Sequence, residues 1–124
     1  MPLISIVVPC YNEQESLPIF LKELDGVVRI MTQQDPGISF ETVLIDDGSA
    51  DKTLAVMKAE AAAAHPCAIR WHSFSRNFGK EAALLAGLQH AKGDYVATMD
   101  ADMQDPPSLL PQMYEILQTE DYDN

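Results

Sequence analysis

Asp100 and Asp102 stand one small residue apart, and Gln104 follows two positions later. At that spacing two carboxylates and an amide oxygen can aim at one point. Oxygen-only sets suit hard divalent cations such as Mg²⁺ or Mn²⁺, which commonly bridge a pyrophosphate rather than sit in an all-protein cage. The same run also reads as a solvated acidic turn with Asp105 capping the helix behind it. Its place after a buried strand, beside other polar strand ends, favours the metal. In Asp46-Asp47-Gly48-Ser49 one carboxylate can receive donors from a nucleotide base while Gly48 permits the turn; plain turn chemistry accounts for the run equally well. Tyr11 can stack or hydrogen-bond, and Glu13 can accept from a base or ribose or merely sit near a helix N-terminus. Arg76 and Lys80, two of only 8 basic residues, can neutralise phosphate, although pairing with the nearby carboxylates is the simpler outcome for each.

The elements that must hold these residues follow from periodicity. Ile4 to Val8 is a β-branched run stopped by Pro9, a buried strand. Leu17, Phe20, Leu21, Leu24, Val27, Val28 and Met31 recur every three or four positions, the period of an amphipathic helix. Gln33 to Ser39 is a loop around Pro36-Gly37, and Phe40 to Ile45 is a second strand. Asp51 can cap a helix carrying Leu54, Met57 and Ala61, ended by His65-Pro66. Ala68 to Phe74 is a third strand, and Lys80 to Ala91 a third helix with Leu84, Leu85 and Leu88, stopped by Gly93. Tyr95 to Met99 is a fourth strand. Asp105 is placed to cap a fourth helix, with Pro106 at its first position and Leu109, Leu110, Met113, Ile116 and Leu117 as its apolar face; polar Thr119 to Asn124 follow.

Four alternations of strand and helix with short connections predict an α/β fold: right-handed crossovers and a mostly parallel sheet flanked by helices, as in half of a doubly wound protein. Ligands of such sheets sit beyond the carboxyl ends of the strands, where strand order reverses. The segments at 9–13, 46–49, 75–80 and 100–105 are all expected at that rim. No nucleophile triad, P-loop or Gly-x-Gly-x-x-Gly fingerprint is present.

Composition narrows the classes. The 124 residues fit one core, a single domain over 1–124, with 47% hydrophobic and 22% charged residues, ordinary globular values. A net charge of -11 argues against a nucleic-acid backbone or attraction to an anionic leaflet. Cys10 and Cys67 lie far apart behind no basic-then-apolar leader, so they read as reduced cytosolic thiols. No run of about 18 apolar residues is present to span a bilayer. His65, His72 and His90 show no ligand spacing and read as surface or boundary residues.

Taken together, Val7-Val8-Pro9-Cys10-Tyr11-Asn12-Glu13, Ile45-Asp46-Asp47-Gly48-Ser49 with Asp51 and Thr53, and Asp100-Ala101-Asp102-Met103-Gln104-Asp105-Pro106-Pro107 resemble family 2 glycosyltransferases over nearly the whole chain. Ser75-Arg76-Asn77-Phe78-Gly79-Lys80-Glu81-Ala82-Ala83-Leu84 is similar to the branch of bactoprenol glucosyltransferases and dolichol-phosphate mannose synthases. The resemblance implies a Rossmann-like GT-A fold and inverting transfer of a hexose from a UDP- or GDP-sugar to a membrane polyprenyl phosphate, at the cytoplasmic face of the membrane. It implies Mg²⁺ or Mn²⁺ on Asp100, Asp102 and Gln104, with Asp100 and Asp102 catalytic, and donor contacts from Pro9, Tyr11, Glu13, Ile45, Asp47, Asp100, Ala101 and Asp102. Members of the family continue past this point, with acceptor-binding residues and often transmembrane helices, so the chain is expected to be an N-terminal portion. A hydroxyl acceptor and a non-catalytic nucleotide-binding half-domain are the alternatives; a receiver-type domain would need its acidic pair after the first strand.

Overall fold

A computed structural model describes residues 2–102 and 106–123. Four parallel strands, β1 (Leu3–Cys10), β2 (Ser39–Asp46), β3 (Ala68–Ser73) and β4 (Tyr95–Thr98), form one sheet in the order β3-β2-β1-β4. The intervening helices are α1 (Ser16–Gln34), α2 (Thr53–Ala62) and α3 (Lys80–His90); a 3₁₀ turn, Pro107–Leu109, leads into α4 (Leu110–Asp123). The chain steps outward from β1 to β3 and then returns to the far side of β1. Strand order therefore reverses between β1 and β4.

The period of two in the strands splits the core. Ile4, Ile6, Val8 and Cys10 of β1, with Phe40 and Leu44 of β2, pack against Leu17, Phe20, Leu21, Leu24, Val28 and Met31 of α1, against Met57 of α2, and against Leu110 and Tyr114 of α4. Val7, Val43 and Ile45 face the other way, onto Ala83 of α3. Each large α1 side chain so buried contributes about 1.5–3 kcal/mol.

Three expectations are corrected here. β1 does not stop at Val8 but runs through Pro9, which pairs in register with Ile45. Met99 N–H donates to Val7 O (3.0 Å) while Asp47 N–H donates to Cys10 O (2.9 Å), so Val7 and Pro9 turn their backbone groups toward β4. Pairing with β4 ends at Val7, which leaves the missing N–H of Pro9 without a ladder position to fill.

α3 packs through Ala83 and Gly87, whereas Leu85 and Leu88 are 57% and 48% exposed. A Cβ on Gly87 would lie 2.2 Å from Val7 Cγ1. Contact this close selects the smallest residues, and the leucines fall to the flanks.

The last helix starts later than expected. Pro106 is extended (φ -65°, ψ 148°) and Pro107 takes the first position of the 3₁₀ turn, because a residue before proline is driven out of the α region. Asp105, expected as its cap, lies outside the described residues, as does the side chain of Leu117. Leu109 and Ile116 are exposed, and Tyr114 is buried instead. The helix runs on through the polar end to Asp123.

His65 lies at the boundary between α1 and α2, its side chain 8% exposed, with Nδ1 2.7 Å from Asp25 of α1 and Nε2 3.1 Å from Glu60 of α2. His72 and His90 stack, ring centroids 3.6 Å apart. At the amino ends of the strands, buried Glu41 accepts from Ser5 Oγ (2.5 Å), Arg70 Nη2 (2.6 Å) and Lys92 N–H (2.7 Å), and Ser5 Oγ accepts from Gly93 N–H (2.8 Å). Both cysteines are free thiols. Among the described residues no helix is long and apolar enough to cross a membrane.

Candidate active site

At the opposite end of the sheet each strand delivers a polar segment to the same rim. The β1–α1 connection is stitched to the β2–α2 connection by Asn12, which is held at φ 54°. Its N–H donates to Ser49 Oγ (2.9 Å), and its Oδ1 accepts from Ala50 N–H (2.9 Å). Glu13 N–H donates to Thr53 Oγ1 (2.8 Å) and Lys52 N–H to Gln14 Oε1 (2.9 Å). Asp51 accepts from Thr53 N–H (2.9 Å), but the cap position of α2 falls on Lys52, one residue later than expected, and carries no side-chain cap bond. Asn is among the few residues that tolerate a positive φ, so Asn12 after a strand was the available signal for this clasp.

The two acids at the carboxyl end of β2, Asp46 within it and Asp47 just beyond, have separate employment. Asp46 accepts from Ser49 N–H (3.0 Å) and Ser73 Oγ (2.9 Å). Asp47, 4% exposed, accepts from Phe78 N–H (2.8 Å), Gly79 N–H (3.2 Å) and Asn77 Nδ2 (3.3 Å). It thereby fastens the 75–79 loop over Gly48, whose own φ is +66° and where a Cβ would lie 2.1 Å from Arg76 C. Turn chemistry at 46–49 and the loop before α3 are one structure, which adjacency in sequence does not reveal.

A cavity of about 170 Å³ opens between the carboxyl ends of β1 and β4, at the reversal of strand order. Pro9, Tyr11, Glu13, Asp47, Asp100, Ala101 and Asp102 line it, joined by Cys10, Lys80 and Ala83. Seven of the eight donor-contact residues implied by the resemblance are thus brought together, and Lys80 with them. Ile45 is not: its side chain is fully buried with Val7, Val43 and Ala83 beneath α3. Gln104 lies outside the described residues. Tyr11 is 48% exposed at the mouth, and Glu13 accepts from Ser16 Oγ.

Lys80, the first residue of α3, places Nζ 2.9 Å from Asp100 Oδ1. Among the described residues Arg76 meets no such carboxylate, and it lies over the Phe78 ring, 4.7 Å from its centroid. Burial, reinforced by the charges of Glu13, Asp46 and Asp100, pushes the Cys10 thiol far above its ordinary range. A protonated thiol is neither nucleophile nor base.

Asp100 and Asp102 present oxygen donors on the cavity wall, and that donor chemistry fits a hard divalent cation whose remaining ligands come from water and phosphate. Among the described residues no group of three or more His, Cys, Asp or Glu side chains is gathered as a metal cage.

Fold and rim together define a doubly wound α/β protein with an acidic cleft at its switch point. The profile of glycosyl transferase family 2 matches residues 5–124, and the chain belongs to that family. It is 42% identical over 113 residues to the undecaprenyl-phosphate 4-deoxy-4-formamido-L-arabinose transferase of Pseudomonas paraeruginosa, a match covering 91% of this chain and 32% of that protein. The mannosyltransferase PcManGT from Pyrobaculum calidifontis, solved with GDP-Man and Mn²⁺, superposes with a TM-score of 0.69 at 27% identity, covering 82% of this chain and 28% of that one. S. aureus TarS in complex with UDP gives a TM-score of 0.57 at 25% identity, covering 80% and 27%. The chain spans about a third of the length of the curated relatives it matches.

Proposed function

We propose that this chain forms the donor-binding part of a metal-assisted, inverting glycosyltransferase that moves a sugar from a UDP- or GDP-sugar to a polyprenyl phosphate at the cytoplasmic face of a membrane. One observation carries the reading: segments from all four strand ends meet in one cavity, bringing Asp100 and Asp102 beside Tyr11, Glu13 and Asp47. The name of the Pseudomonas relative supports an undecaprenyl phosphate acceptor. Its sugar, an arabinose derivative, is a pentose, so a modified pentose takes precedence over the hexose expected from the sequence. The two ligand-bound structures, one with GDP-Man and one with UDP, support either base.

In this reading Asp100, Asp102 and Gln104 hold Mg²⁺ or Mn²⁺. When bound, the cation supplies neutralisation of the charge that develops on the departing nucleoside diphosphate. Tyr11 stacks at the mouth, and Glu13 accepts from the nucleoside. A phosphate acceptor has a second pKa of about 6 and is already an anionic nucleophile near neutral pH, so the chain need not supply a strong base. That agrees with a protonated Cys10 on the cavity wall.

The test is calorimetric titration of the chain with UDP and GDP, with and without Mn²⁺, beside Asp102→Ala. Metal-dependent binding that the variant loses at least tenfold is the expected result; metal-independent binding, or an unaffected variant, rejects the assignment. A second reading, a non-catalytic nucleotide-binding half-domain, is favoured by the cavity's size, about 170 Å³ against about 300–1,000 Å³ for ordinary ligand pockets. Turnover by the chain excludes it.

A further inference from the structure

The cavity wall is electrostatically one-sided. Glu13, Asp47, Asp100 and Asp102 line it, and among the described lining residues Lys80 alone is cationic. Asp47 has its oxygens engaged by the 75–79 loop, but the remaining carboxylates still oppose an anionic ligand. A nucleoside diphosphate brings more negative charge to this wall. A divalent cation on Asp100 and Asp102 offsets their charge, leaving the diphosphate with little surplus attraction.

Lys80 is placed to supply it. Its ammonium sits on Asp100 Oδ1 at 2.9 Å, the same carboxylate a metal would take, and its side chain is 62% exposed. An ion pair that exposed contributes little net stabilisation, so a divalent cation can displace the ammonium from Asp100. Once displaced, the ammonium stays at the cavity on a four-carbon stem with three rotatable donors. Lys80, Pro9 and Asp100 also line an adjoining cavity of about 150 Å³, so the stem has room on either side of the carboxylate.

We propose that Lys80 binds the diphosphate of the donor, exchanging its ion pair with Asp100 for the phosphate oxygens when a divalent cation occupies that carboxylate. This rests on the donor-site reading above. It assigns Lys80 opposite effects on two ligands: it competes with the metal alone and assists the diphosphate once the metal is bound.

Calorimetry on the chain, Lys80→Gln and Lys80→Arg separates these effects, with thermal unfolding confirming that each variant is folded. Lys80→Gln should bind Mn²⁺ alone about threefold more tightly, the loss of a weak competitor. With saturating Mn²⁺ it should bind UDP or GDP about tenfold more weakly, the worth of one charge-assisted bond, while Lys80→Arg keeps most of the affinity. Uridine or guanosine, without phosphate, should bind Lys80→Gln and the unsubstituted chain alike. Equal diphosphate affinity in Lys80→Gln and the unsubstituted chain overturns the proposal and leaves Lys80 as a counter-ion of Asp100. An unsubstituted chain that is folded yet binds neither diphosphate with Mn²⁺ overturns the donor reading itself, and this inference with it.

Discussion

Asp47 serves a loop with the carboxylate that the family resemblance gives to the nucleotide. Removing it leaves the Phe78 and Gly79 N–H groups without their carboxylate acceptor, and a hydrogen bond to a charged group contributes about 1.5–3 kcal/mol. Asp47→Ala is therefore expected to lose about 3 kcal/mol in urea denaturation followed by the single tryptophan, Trp71. Gly48→Ala should lose a similar amount by another route. Its φ of +66° strains any side chain, and its Cβ meets loop backbone, which yields less readily than a side-chain tip. Were both variants as stable as the parent, the loop would not be anchored here. The gathering of acids at the rim and the pairing of Lys80 with one of them follow from strand-end placement and were legible in the sequence, whereas Arg76, for which the same pairing was expected, lies over Phe78. The partners of Asp47 were not, because turn propensity describes four consecutive residues and its donors lie thirty residues on.

At the scale of elements, strands were the easiest to read, since buried β-branched runs leave little choice of period. The faces of the helices were harder. α1 carries a broad apolar stripe, and the structure buries it as the spacing indicated. In α3 the eye goes to Leu84, Leu85 and Leu88, yet the contact is made by the small residues Ala83 and Gly87. Hydrophobicity ranks side chains by their appetite for burial; it says nothing of how near two backbones must come. Gly87→Ala tests this: helix propensity alone would favour the alanine by about 1 kcal/mol, while the clash with buried, β-branched Val7 opposes it. We expect a net loss of about 1–3 kcal/mol in urea denaturation. Val7→Ala in the same chain should make room for the new methyl, so that the double variant is more stable than the sum of the single losses predicts. Strict additivity would mean that α3 can move away freely.

Across the whole molecule the two ends of the sheet are built differently. The rim gathers Glu13, Asp47, Asp100 and Asp102 around one cavity, whereas the opposite end ties β1, β2, β3 and the chain after α3 to Glu41. Burial would raise the pKa of Glu41, but bonds from Ser5, Lys92 N–H and Arg70, with the Arg70 charge, outweigh it and hold the group below its ordinary value of 4.5. The unfolded chain then binds the proton more readily than the folded one. The stabilisation is complete above about pH 4.5 and is lost as the pH falls through the lower folded-state value. Glu41→Gln should cost about 2 kcal/mol at pH 7, with the difference from the parent shrinking below pH 4.5, as urea denaturation at pH 7 and pH 3.5 would show. A gap that stays constant would remove Glu41 from the acid response.

Pro9 gives the cleft a different standing from its contents. β1 continues past the last residue that β4 can pair with, and at that point it carries an imino acid with no proton to offer a neighbouring strand. The gap between the strands is consequently a property of the main chain and of strand order. The residues along its walls, from Tyr11 to Asp102, can vary in what they attract without closing the opening. Ligand preference at this site can therefore change by substitution of side chains while the architecture that makes room for a ligand stays as it is.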